Sequence, residues 1–123
     1  MIELIHILRT LYSKGVRQVA QKDLEEFLLD LWDSERISIY STFDRLYEDL
    51  QRLAEIGVIR YDGRTVAMGN DFMRKSELIK RMTSRWIAGN AYLTYIFDVI
   101  RRRADEFADR LRTSQKGAEA VAP

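Results

Sequence analysis

The feature that most constrains this chain is a change of apolar period near its middle. Up to Gly57, apolar residues recur three and four apart, as on one face of a helix. From Val58 to Met68 that period is lost, and from Asp71 it returns. Proline occurs once, at the last position, so only glycines and polar turns punctuate the helices. Ile2, Ile5, Leu8, Leu11 and Tyr12 mark a first helix ended by Gly15. Residues 16–20 are short and β-compatible. Leu24, Phe27, Leu28, Leu31 and Trp32 mark a second helix, with Asp23 as an acid in its positive first turn. After a polar break at 33–36, Ile39, Phe43, Leu46, Leu50 and Leu53 mark a third. Residues 41–44 fit a capping box, but Ile39 is in phase with the later residues and places the start near Ser38.

Residues 58–61 and 64–68 read as two strands joined by a two-residue turn, Asp62 and Gly63. Asp-Gly suits a type I′ hairpin, whose two central residues need positive φ. Beyond Asn70, Phe72, Ile79, Met82 and Trp86 form one helical stripe. Leu93, Phe97, Ile100, Ala104, Phe107 and Leu111 form another, with the spacing a helix needs along a partner helix. Gly89 and Asn90 lie between the stripes, leaving open one kinked helix or two. Residues 113–123 show no pattern and read as a disordered tail. The chain therefore divides into 1–70, 71–112 and 113–123.

Composition removes several function classes. Cysteine is absent, which excludes disulfides, thiolate metal sites and cysteine catalysis. A single histidine excludes a multi-histidine metal centre. No apolar run approaches the roughly 18 residues of a membrane helix. The first residues lack the basic head of a secretory signal, so a cytoplasmic location is expected. The net charge of +1 excludes binding of nucleic acid by bulk charge alone. No glycine-rich phosphate loop, HExxH or GxSxG pattern occurs, and no pair of acids stands out, so no enzyme and no cofactor is expected.

The order helix, short strand, helix, helix, hairpin implies a mainly α fold with a small β-hairpin. Phe43, Leu46, Leu50 and Leu53, followed by Gly57 and the apolar pair Val58 and Ile59, resemble the recognition-helix exit of the winged helix-turn-helix transcription-regulator superfamily. Tyr61, Asp62, Gly63 and Arg64 resemble its wing tip. The likeness covers about residues 2–70. It implies a third helix that enters the DNA major groove and a wing that touches the backbone. Ser38, Tyr40, Ser41, Thr42, Arg45 and Arg52 on the third helix, with Arg60 and Arg64 on the wing, are then the DNA-binding candidates. Serine, threonine and tyrosine can bond phosphates, and arginine can read guanine. Tyr47 and Gln51 belong to the same expected face.

The resemblance also implies that 71–112 is a C-terminal helical extension that dimerises. Trp86, Leu93, Phe97, Ile100, Ala104, Phe107 and Leu111 are its interface candidates, and the alternative is that these helices fold back onto the core. The expected function is a sequence-specific double-stranded DNA-binding protein, a homodimeric transcriptional regulator. The distribution of charge counts against that surface as a simple phosphate binder. Residues 1–37 carry a net −2, 38–70 a net −1 and 71–112 a net +4. Asp44, Glu48 and Asp49 lie on the helix meant to approach phosphates. That balance favours the alternative, a winged-helix adapter that binds another protein in transcription or replication machinery. A basic architectural protein of chromatin type is a third reading, disfavoured by the net charge.

Overall fold

A computed structural model describes residues 1–121, with the side chains of Thr83 and of residues 115–121 outside the description. The fold is mainly helical with a small three-stranded antiparallel sheet. The order is α1 (Ile2–Ser13), β1 (Gln18–Ala20), α2 (Gln21–Glu35), α3 (Phe43–Glu55), β2 (Arg60–Tyr61), β3 (Thr65–Ala67), α4 (Phe72–Ile87) and α5 (Ala91–Val121). Strand β3 is central. It pairs with β1 at Val19↔Val66 and with β2 at Tyr61↔Val66.

Helix α1 is the hub. The expected stripe accounts for one side of it, but Leu4, Ile7 and Thr10 are buried as well. A helix apolar nearly all round must be covered nearly all round. Its second side is covered by α4 and α5, which fold back onto it. Arg9 ties α1 to α4. Its guanidinium donates to the Met73 carbonyl at 2.8 Å and the Ser76 hydroxyl at 2.6 Å, and pairs with Glu77 at 3.1 Å. His6 and Phe97 join α1 to α5, with ring centroids 5.3 Å apart. Phe107 stacks on Phe27 of α2 at 4.9 Å.

This packing corrects the expected dimer seam. Phe97, Ile100, Ala104 and Phe107 are buried within the chain itself. Leu111 is half-buried against the same core, Leu93 is half-buried, and Trp86 alone of the seven is exposed. A periodic stripe demands a cover, and here α1 and α2 supply it.

Three boundaries also differ from expectation: the start of α3, the hairpin turn and the end of the last helix. Helix α3 starts at Phe43, not near Ser38, with extended Thr42 as its N-cap and no side-chain capping bond. The preceding turn begins at Arg36, whose φ of 56° is left-handed and ends α2. Ile37 and Ile39 pack from an irregular segment, so the helical phase of Ile39 does not reflect a helix. The hairpin turn is wider than two residues: of Asp62 and Gly63 only Gly63 has positive φ. The Asp62 carboxylate instead accepts the backbone N–H groups of Arg64 and Thr65, at 2.9 and 2.8 Å. Such an Asx turn replaces the type I′ geometry.

The segment after Asn70 forms two helices. Gly89, at φ 81°, breaks it, and the Asn90 side chain accepts the Leu93 N–H at 3.0 Å to cap α5. Backbone helix continues to Val121, through most of the segment expected to be disordered. Residues 113–121 hold no proline, and their one glycine, Gly117, weakens a helix without ending it. Residues 122–123 lie outside the described residues.

Candidate nucleic-acid interface

Helix α3 owes its position to three leucines. Leu46, Leu50 and Leu53 are fully buried and fix which face points outward. At its C-terminus Gly57 turns the chain at φ 80°, and Val58 donates its N–H back to the Leu53 carbonyl at 2.9 Å. Val58 and Ile59 are buried, which draws β2 alongside α3. The Asp62 turn then holds Arg64 at the exposed tip.

The outward face of α3 carries Asp44, Arg45, Glu48, Gln51, Arg52 and Glu55, all exposed. Helical spacing sets Arg45 and Arg52 along one side and the acids along its centre line. Ser38, Ser41 and Thr42 are exposed ahead of the helix, and Arg60 is exposed on β2. Thus seven of the eight DNA-binding candidates stand at the surface.

Tyr40 does not. It is half-buried, and its hydroxyl donates to Asp49 Oδ2 at 2.7 Å. Burial first, and that bond second, push its hydroxyl well above the usual tyrosine range. Asp49 also pairs with the Met1 amino group at 2.8 Å. Burial alone would raise the Asp49 carboxyl, but the bonds from Met1 and Tyr40 outweigh it and hold the carboxyl low. The pair therefore locks α3 to the start of α1. Tyr47 is likewise turned inward, donating to the Glu25 carboxylate of α2. That bond, with desolvation second, pushes Tyr47 up to about 12. Tyr61 of β2 donates to Gln21 beside it. These tyrosines join α3 and the hairpin to α2.

Arginine pairing is uneven along the chain, and among the described residues Arg17, Arg36, Arg85 and Arg110 have no carboxylate within 4.0 Å. Arg74, Arg81, Arg101, Arg102, Arg103 and Arg112 each have a carboxylate within 4.0 Å. Among the described residues, Arg45, Arg52, Arg60 and Arg64 form no such pair. They are the only basic residues between 38 and 70.

Sequence reasoning missed one feature. Leu29 and Trp32 of α2 are exposed, at 51% and 46%. With Leu28, Ile39 and Phe43 they line an open cleft of about 400 Å³ beside the turn into α3. Trp32 lies on the expected apolar stripe, but Leu29 is out of phase with it, and that was the available signal. Among the described residues no group of three or more His, Asp or Glu side chains is placed to hold a metal. No described helix is long and apolar enough to cross a membrane. Comparison of the chain with protein-family models, curated proteins and solved structures found no match.

Proposed function

We propose that residues 1–70 act as a winged helix-turn-helix unit that binds double-stranded DNA, in a homodimeric, cytoplasmic regulator of transcription. The observation that carries this reading is the set of unpaired arginines. Seven of the other eleven arginines have a carboxylate within 4.0 Å, whereas among the described residues Arg45, Arg52, Arg60 and Arg64 on α3 and the adjoining hairpin have none that close, Arg52 and Arg64 feeling Asp49 and Asp62 only at longer range. A guanidinium without a carboxylate partner is available for a phosphate or a guanine edge. Helix α3 would lie in the major groove, and Arg64 at the hairpin tip would reach the neighbouring backbone.

The acids on α3 fit this reading as selectors. Asp44 and Glu48 cost affinity for any phosphate, but a carboxylate accepts well from the cytosine amino group. Specificity rises at the expense of non-specific binding. Tyr40 is withdrawn from the contact set by its bond to Asp49, and the dimer contact is moved off the buried α5 seam.

The test is replacement of Arg45 and Arg64 together by Ala, read by fluorescence anisotropy on duplex DNA. Each lost contact is worth about 1–3 kcal/mol, so binding should weaken at least tenfold while the circular dichroism spectrum stays unchanged. Unchanged affinity would remove both residues from the interface. The adapter reading has one specific observation in its favour, the apolar cleft at Leu29 and Trp32. An apolar contact there would be nearly insensitive to salt, whereas phosphate binding would not.

A further inference from the structure

Helices α2 and α4 each leave apolar side chains in solvent, as α5 does at Tyr92 and Tyr95, and the charges of α2 and α4 are opposite. Helix α2 holds six acids and one base, a net −5. Its outer face shows Leu29 and Trp32 at the mouth of the 400 Å³ cleft. Glu26, Asp30 and Asp33 stand exposed around them, and among the described residues none has a cation within 4 Å. Helix α4 holds five bases and one acid, a net +4. Its outer face shows Leu78, Met82 and Trp86, each more than half exposed and four residues apart along one stripe. Arg74, Arg81 and Arg85 run along one side of that stripe and Lys75 along the other.

Neither face suits a copy of itself. Two α4 faces together would set Arg74, Arg81 and Arg85 against their own copies, and two α2 faces Glu26, Asp30 and Asp33 against theirs. Like charges across an interface suppress association. An α4 face against an α2 face sets opposite charges together. Apolar stripe then meets apolar cleft, and an exposed tryptophan enters a concave site, the residue type most enriched at interface centres.

We propose that the basic face of α4 docks onto the acidic cleft of α2 in a second copy of this chain. Trp86 seats near Leu29 and Trp32, and Arg81 and Arg85 meet Asp30 and Asp33. Where both contacts form at once, reciprocally about a two-fold axis, the assembly is a closed dimer. The docking also covers acids on the helix preceding α3. It stands apart from DNA binding, since every observation it uses lies outside Arg45, Arg52, Arg60 and Arg64.

The experiment is sedimentation velocity on the full chain without DNA, at up to about 100 µM protein and about 50 mM salt, where screening is weak. One variant carries Arg81→Glu with Arg85→Glu, the other Asp30→Arg with Asp33→Arg. The wild type associates, and each variant alone sediments as a monomer with its association at least tenfold weaker. An equimolar mixture of the two associates again, because the charges are swapped across one contact and native at the other. That rescue also shows that both variants are folded. A wild type that stays monomeric overturns the proposal. So does an α2 variant that associates like the wild type, which would mean α4 meets α4, or a mixture that stays monomeric. None of these outcomes bears on DNA affinity, which the Arg45 and Arg64 variants report separately.

Discussion

Phe107→Ala tests whether α5 belongs to the chain's own core. Phe107 is 5% exposed and lies nearly parallel to the Phe27 ring, at 15° and 4.9 Å between centroids. Removing a buried phenyl ring costs about 3–5 kcal/mol, the upper half applying where the site cannot collapse. Collapse is hindered here. Lys14 pairs with Asp109 at 3.6 Å, and Arg112 donates to the Lys14 carbonyl at 2.9 Å, so α5 is held to α1 just beyond the ring. We therefore expect a loss of about 4 kcal/mol. Unfolding entropy for 123 residues is about 0.26 kcal/mol per kelvin, so the melting temperature should fall by about 15 °C. The assay is a thermal melt followed by circular dichroism at two protein concentrations tenfold apart. The drop should be the same at both, because the lost contact lies within one chain. A shift under about 3 °C, or one that appears only with a loss of dimer, would refute the in-chain packing of α5.

Two further outcomes follow from α1. Burial, partly offset by the bond to the Phe97 carbonyl, holds the His6 imidazole below its usual pKa, with Arg101 and Arg9 pushing the same way as burial. Its neutral ring donates from Nε2 to that carbonyl at 3.2 Å. The unfolded chain then takes up a proton near pH 6.5 while the folded chain does not, so stability falls as pH drops from about 6.5 toward the lowered value. Denaturant melts between about pH 7 and 5 should show this slope, and His6→Gln should flatten it; an equal slope in both proteins would place the titration elsewhere. Arg9→Ala should cost about 1.5–3 kcal/mol, the range for bonds to a charged group, because it strips partners from Ser76 and Glu77 together. A urea midpoint within error of the wild type would show that α4 is held to α1 without Arg9.

Much of the architecture was legible because it rests on period and punctuation. The change at Gly57 and the Gly89 and Asn90 break appear where the residues place them, the turn at Asp62 falls there with a different geometry, and β1 pairs as residues 16–20 suggest. What the residues could not say is who covers an apolar stripe. Phe97, Ile100, Ala104 and Phe107 have a spacing that serves a partner chain and a neighbouring helix equally well. The decision lay in Leu4 and Ile7, whose burial needs a second cover on α1. The start of α3 was misjudged through Ile39, an apolar residue in helical phase but packed from an irregular segment. A tyrosine near a helix start reads as a phosphate ligand, and the structure bonds the Tyr40 hydroxyl to Asp49 instead. The opposed charges of α2 and α4 were countable from the sequence, but their meaning required knowing that both apolar faces stay exposed.

The most direct test of the DNA-binding account is the salt dependence of anisotropy on a random-sequence duplex with the wild-type chain. Four unpaired arginines, each releasing up to one counterion at about 0.9 per phosphate, set a slope of log K against log salt of about −3 to −4 per chain. Binding at about 50 mM salt that weakens with a slope in that range is the predicted result. A folded chain that fails to bind at low salt, or binds with a slope near zero, would contradict the account and leave α3 and the hairpin as a surface for another protein.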